Sequence, residues 1–148
     1  MPEFLKVTID KFTFQIAADR WYTREGLWVL PEADRVRVGL SDYAQQRSGD
    51  IAFAEIKPIG TQLTAGDEIA AIETIKVNVA VSSPVTGEVI EVNAGLETAP
   101  EAINQDPYGA GWLAVIAPAD WETDRSQLLT ATAYFDIVKR EAEEETKG

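Results

Sequence analysis

A chain of 148 residues, 45% apolar and with four Trp, five Phe and four Tyr, is long enough for one domain with a modest core. Its 25 acidic against 13 basic residues give a formal charge of -12, a field that repels nucleic acid and anionic membrane and draws basic protein surfaces; the same excess also suits a salt- or alkali-adapted host. Cys and His are both absent, which excludes disulfides, a thiol nucleophile, the usual zinc clusters and the commonest general base near neutral pH, and so argues against an independent enzyme.

No apolar run nears the roughly twenty residues of a membrane span. The amino terminus, MPEFLKVTIDKF, lacks a basic-then-apolar signal design, so a cytoplasmic protein is expected.

Residues 1–19 alternate in two registers, Val7 and Ile9 in one and Phe12, Phe14 and Ile16 in the other, and form an extension expected to dock on the domain that follows. Residues 20–148 are expected to be a single domain. Arg20–Val29 and Val36–Leu40 predict a hairpin with its turn over Pro31–Asp34. Ser41 and Gly49 bracket about two helical turns as N-cap and C′ residues, with Tyr43 and Ala44 inward. Asp50–Ile56 predicts a strand with Ile51 and Phe53 on one face and Ala52 and Ala54 on the other, ended by Pro58.

From Gly66 to Val92 the chain reads GDEIAAIETIKVNVAVSSPVTGEVIEV. Two largely apolar runs, Ile69–Ile75 and Val77–Val81, flank a lone lysine, and the β-branched content predicts a hairpin followed by a further strand over Val89–Val92. A bend near the only cation of the stretch places Lys76 at the hairpin tip with its amine in water. No Asn-Gly or Gly-Gly marks that turn. By residue type alone, a lysine so placed is an ordinary surface side chain.

Beyond Val92, Asn93–Leu96 reads as a turn, and Pro100 suits the first turn of a short helical stretch ending at Ile103. Asn104–Gly111 is a turn-rich loop, and Trp112–Ile116 the last strand, closing at Pro118. Asp120 caps a short helical segment through Leu128 and Leu129. Thr130 caps a carboxyl-terminal helix, on which Ala131, Tyr134, Phe135, Val138 and Ala142 form an apolar stripe that docks on the domain.

Several spaced motifs stand in a fixed order: Gly49-Asp50-Ile51-Ala52-Phe53-Ala54-Glu55, Pro58-Ile59-Gly60-Thr61, Ile72-Glu73-Thr74-Ile75-Lys76, Ser83-Pro84-Val85-Thr86-Gly87-Glu88-Val89 and Asn104-Gln105-Asp106-Pro107-Tyr108-Gly109-Ala110-Gly111-Trp112-Leu113. Together they resemble the lipoyl carriers of the family of the glycine cleavage H protein, over roughly Trp28 to Val138. The resemblance implies a mostly β, flattened barrel-sandwich hybrid of the biotinyl/lipoyl-carrier type, made of two quasi-symmetric halves, with short peripheral helices and a carboxyl-terminal helix from about residue 130. It implies lipoate in amide linkage to Lys76, with Glu73, Thr74, Ile75 and Val77 forming the surroundings an attaching enzyme recognises. By its type alone Glu73 suits a solvated face better than a recognition role. No metal site is implied.

The chain also departs from the glycine cleavage pattern. Gly26-Leu27-Trp28 stands where His-Glu-Trp is usual, Thr74 stands for the usual Ser, and Val77-Asn78-Val79-Ala80-Val81-Ser82 replaces the common Ala-Ala-Ser-acidic-apolar-Tyr continuation. With the amino-terminal extension, these departures resemble the divergent lipoate-binding proteins of bacterial sulfur oxidation, and that role is the preferred expectation. It implies a carrier that shuttles sulfur intermediates to a heterodisulfide-reductase-like complex, after loading by a lipoate ligase or lipoyl transferase. The first alternative is a glycine cleavage H protein carrying an aminomethyl group between glycine cleavage enzymes. The second is an unmodified acidic binding module. A biotin carrier usually has Met on both sides of its lysine, where this chain has Ile75 and Val77. In each of these readings the chain is no enzyme, and neither nucleic acid nor membrane is a partner.

Overall fold

The computed structural model describes residues 3–147; residues 1, 2 and 148, which end the two expected segments, lie outside the described residues. In chain order the elements are β1 (Phe4–Ile9), β2 (Phe12–Ala17), β3 (Trp21–Tyr22), β4 (Leu27–Glu32), β5 (Arg35–Leu40), α1 (Asp42–Ser48), β6 (Ile51–Ile56), β7 (Gln62–Leu63), β8 (Glu68–Thr74), β9 (Asn78–Ser82), β10 (Gly87–Val92), a 3-10 turn (Ala94–Glu97), α2 (Ala102–Gln105), β11 (Ala114–Pro118), α3 (Trp121–Arg125) and α4 (Ala131–Lys147).

Among the described residues the strands form three separate antiparallel sheets: β1-β2, the six-stranded β3-β4-β5-β11-β10-β7, and β6-β8-β9. Among the described residues no sheet closes into a barrel, so the expected barrel-sandwich hybrid is corrected to a lipoyl-domain-like arrangement of open sheets with short helices and a carboxyl-terminal helix. The reason lies between β6 and β8. Pro58 offers no N–H, and Gly60 and Gly66 take φ of +94° and +98°, so the chain leaves strand geometry on both sides of β7. β7 is left two residues long, pairing only with Gly87 and Glu88, too short to carry a ladder from one sheet into the next.

The inward side chains of the two larger sheets nevertheless share one apolar cluster, in which Val29, Val38 and Ile116 meet Ile69, Ile72 and Val81. A second cluster joins the amino-terminal hairpin to the helices. Phe14 and Ile16 of β2 pack with Tyr22, Trp28, Tyr43 and the α4 stripe Ala131, Tyr134, Val138 and Ala142. The spacing of that stripe puts all four on one helix face. Thr130 Oγ1 accepts from the Ala133 N–H at 3.1 Å and caps the helix.

Polar contacts pin the hairpin down. The Gln15 N–H donates to Asp42 Oδ2 at 2.9 Å, and the Tyr108 hydroxyl donates to the Gln15 carbonyl at 2.7 Å. The buried Arg20 guanidinium stacks over Trp28 at 4.5 Å while donating to the Tyr108 carbonyl at 3.0 Å.

Three local expectations need correction. The β4–β5 hairpin turns at Ala33–Asp34, with Ala33 at φ +56°, so Pro31 lies inside β4 opposite Val36. A bulge between Ile51 and Phe53 breaks the parity of β6: Ile51 and Ala54 are buried, while Phe53 is turned out, 49% exposed, opposite Glu73. α3 ends at Arg125 because Leu129 is drawn into an antiparallel bridge with Tyr22, with backbone hydrogen bonds of 2.9 and 2.8 Å.

Candidate functional site

Lys76 lies where β8 turns into β9, beyond the last ladder pair, Glu73 with Asn78. The turn is made without a left-handed residue: among the described residues only Asp10 and Ala33 are non-glycines with positive φ, so Ile75 and Lys76 avoid the type I′ geometry usual in tight hairpins. The Thr74 N–H donates to the Val77 carbonyl at 2.9 Å. The Thr74 hydroxyl also donates to that carbonyl, at 3.0 Å, and accepts from the N–H groups of Lys76 at 3.2 Å and Val77 at 3.0 Å.

Lys76 is exposed, and its side chain lies over Gly49, the residue that ends α1: a Cβ placed on Gly49 would stand 3.2 Å from Lys76 Cε and 3.7 Å from Nζ. Gly49 holds φ +85°, and its N–H donates to the Gln45 carbonyl at 3.0 Å. Asn104, from α2, fixes the segment under the lysine. Its Oδ1 accepts from the Ile51 N–H at 2.9 Å, and its Nδ2 donates to Gln45 Oε1 at 2.9 Å and to the Gly49 carbonyl at 3.0 Å. Among the described residues no carboxylate forms an ion pair with the Lys76 amine within 4.0 Å.

Of the four residues expected around Lys76, Glu73 and Val77 are exposed and Ile75 is 83% exposed, while Thr74 is half-buried and spends its hydroxyl on the turn. Glu73 sits on the ladder between Phe53 and Asn78. Beside the turn opens a cleft of about 300 Å³ whose walls include Val77, Val79, Tyr43, Arg47 and Glu141. The charged side is held by Arg47, which pairs with Glu145 at 3.1 Å and Glu141 at 3.7 Å and ties α4 to α1. Burial pushes the Tyr43 phenol up to about 12.

Phe53, Thr74 and Asn104 were not legible in these roles. Only the bulge exposes Phe53. The signal for Thr74 was present: a hydroxyl residue immediately before a tight turn that lacks Gly and Asn. Among the described residues no group of three or more His, Cys, Asp or Glu could hold a metal, and no helix is long and apolar enough to cross a membrane.

The family described as Glycine cleavage H-protein matches residues 20–141. The glycine cleavage system H protein of Thermus thermophilus is 42% identical over 127 residues, which cover 86% of this chain and 98% of that protein. Glycine cleavage system H protein 4 of Aquifex aeolicus is also 42% identical, over 89% of this chain and 77% of its own length. The crystal structure of a glycine cleavage system H protein from Mycobacterium marinum superposes with a TM-score of 0.74 at 34% identity, covering 82% of this chain and 97% of that one.

These findings overturn the preference for a sulfur-oxidation carrier working with a heterodisulfide-reductase-like complex. The departures behind it are absorbed by the scaffold. Asn78, Ala80 and Ser82 point outward from β9 and Val79 and Val81 inward, while Gly26, at φ +97°, sits where a Cβ would be 2.8 Å from Ala44 Cβ and 3.0 Å from the Tyr134 hydroxyl. The chain belongs to the glycine cleavage H-protein family.

Proposed function

We propose that the chain is lipoylated on Lys76 and carries the aminomethyl group among the enzymes of glycine cleavage. As a member of its family it is a carrier protein and not an enzyme. The observation that carries the reading is the placement of Lys76, the exposed cation of a tight turn, lying over a bare glycine and free of an ion-pair partner among the described residues. That geometry suits an amide-linked acyl chain. In loading by a lipoate ligase or lipoyl transferase, Nζ bonds to the carboxyl carbon of an activated lipoyl donor, the donor's leaving group departs with its electron pair, and the ammonium gives up two protons. Bound there, lipoate supplies the redox-active sulfur that a chain without Cys lacks.

The protein's own residues orient the arm. β8 and β9 project the turn, Gly49 keeps the bed of the lysine free of a side chain, and the cleft beside Val77 gives the arm a wall to lie against. Glu73, Ile75 and Val77 are the surface offered to the loading enzyme, with Glu73 addressed to a basic site. Residues 20–148 act as one carrier domain with residues 1–19 docked on it; the contacts of the β1–β2 hairpin and the start of the family match at Arg20 support this division.

The test is the intact mass of the protein from its native host, with peptide mapping across Lys76. A lipoyl increment on Lys76, and aminomethyl transfer with purified glycine cleavage enzymes, is the expected result. An unmodified Lys76 in a host that lipoylates its other carriers refutes the reading and leaves an acidic binding module.

A further inference from the structure

We infer that the Thr74 hydroxyl is the positioning residue for acylation of Lys76, because it closes the turn that presents the lysine; this rests on the reading that Lys76 is acylated. In an ordinary β-turn the carbonyl of the first residue accepts the N–H of the fourth. Here Thr74 Oγ1 accepts the Val77 N–H at 3.0 Å, accepts the Lys76 N–H at 3.2 Å and donates to the Val77 carbonyl at 3.0 Å. The side chain supplies what two left-handed residues supply in a type I′ hairpin, and Ile75 and Lys76 keep negative φ.

Among the described residues little else restrains the loop. Ile75 is 83% exposed and does not anchor it by packing, and Val77, 44% exposed, is only partly covered at the wall of the cleft. Besides the hydroxyl, the loop has the hydrogen bond from the Thr74 N–H to the Val77 carbonyl. A lysine amine reaches only roughly 6 Å from its Cα, over five single bonds of about 1.5 Å. An enzyme that acylates Nζ must therefore close on the turn itself, and the direction in which Lys76 leaves the backbone decides whether the amine meets the activated carboxyl. With the Lys76 N–H held by Thr74, that direction is fixed toward Gly49. Without the hydroxyl the loop spreads over several conformations, and loading efficiency falls with the fraction that remains competent.

Thr74→Val keeps the shape and removes all three side-chain hydrogen bonds. Thr74→Ser keeps the hydroxyl and removes a methyl. With purified lipoate ligase and intact-mass readout of the product, kcat/KM for loading Thr74→Val is expected to fall about tenfold or more, since a tenfold change corresponds to only 1.4 kcal/mol. Thr74→Ser is expected to load at the parent rate. Amide exchange at Lys76 and Val77 is expected to quicken in Thr74→Val while the β8–β9 ladder amides and the thermal midpoint stay at parent values. Thr74→Ala, which also lacks the hydroxyl, repeats the comparison should the valine variant fold poorly.

Parent-rate loading of both hydroxyl-free variants, slow loading of Thr74→Ser, or unchanged exchange at the two turn amides each overturns the proposal. Failure of the parent protein itself to load marks failure of the lipoylation reading and removes the positioning role with it.

Discussion

Replacing Asn104 by Ala is expected to loosen the segment beneath Lys76. Asn104 joins parts of the chain 53 to 59 residues away through three hydrogen bonds of 2.9–3.0 Å, to the Ile51 N–H, the Gly49 carbonyl and Gln45 Oε1. A net contribution of about 0.5–1.5 kcal/mol each gives about 1.5–4.5 kcal/mol for the three, and because Asn104 is half-buried, water replaces part of the loss, so about 2 kcal/mol is expected. At roughly 2–4 °C per kcal/mol for a chain of this size, the thermal midpoint should fall about 4–8 °C. Asn104→Asp should cost a similar amount: it keeps the acceptor for Ile51 but sets a carboxylate against the Gly49 carbonyl. Scanning calorimetry reads the loss of stability, and hydrogen exchange at Ile51 shows where it originates. A midpoint within about 1 °C of the parent in both variants would refute the account of Asn104 as the tie between α2 and the bed of the lysine.

Lys76→Ala and Lys76→Arg are expected to abolish the lipoyl increment in mass spectra while leaving circular dichroism and thermal midpoint unchanged, because the side chain is exposed; unfolding of either contradicts that placement. Ile16 is fully buried between the hairpin and α4, so Ile16→Ala should cost about 2–5 kcal/mol in urea unfolding, a loss that a hairpin detached from the domain would not give. Stability should also fall in alkali. Burial raises the phenols of Tyr22, Tyr43, Tyr108 and Tyr134, with Tyr43 and Tyr108 up to about 12. A folded-state value above the unfolded one gives stability that is fully present below about pH 10 and lost as the pH rises through the folded values. A urea midpoint that stays constant from about pH 9 to 11.5 refutes this.

Strand positions and helix caps were readable because they depend on neighbours in sequence. Ser41 and Gly49 bound α1, Thr130 caps α4, and Lys76 sits on the β8–β9 turn, all from local spacing. What escaped depends on partners far along the chain. The bulge in β6 is set by its register against β8, and it sends outward the Phe53 that alternation alone turns the same way as the buried Ile51. Asn104 reads as one polar residue of a turn-rich loop, and its role appears only once α2 lies beside α1. The barrel was implied by the family resemblance alone: strand pattern shows only that strands exist, while Pro58, Gly60 and Gly66 decide whether the ladder continues.

The error over pathway has a physical cause. The Val77–Ser82 stretch reads as a functional signature, but three of its six positions, Asn78, Ala80 and Ser82, face solvent on β9 and are free to change without disturbing the hairpin, while Val79 and Val81 preserve the apolar side that the core requires. The geometry at Lys76 rests on other residues. Gly49 leaves room for the lysine, the Thr74 hydroxyl closes the turn, and the buried Ser83 donates to the Val85 carbonyl at 2.7 Å where the chain leaves β9. Gly87, whose added Cβ would run into the Ala117 carbonyl oxygen, then lets β10 lie close against β11. None of these contacts uses an exposed side chain of β9, so exposed substitutions along that strand leave the presentation of Lys76 intact. A departure from a motif bears on function only where the replaced side chain changes what touches the turn, the lysine's bed or a partner; Thr74 keeps the hydroxyl that closes the turn, so of the departures beside the lysine Val77, a wall of the adjoining cleft, is the one that meets that condition.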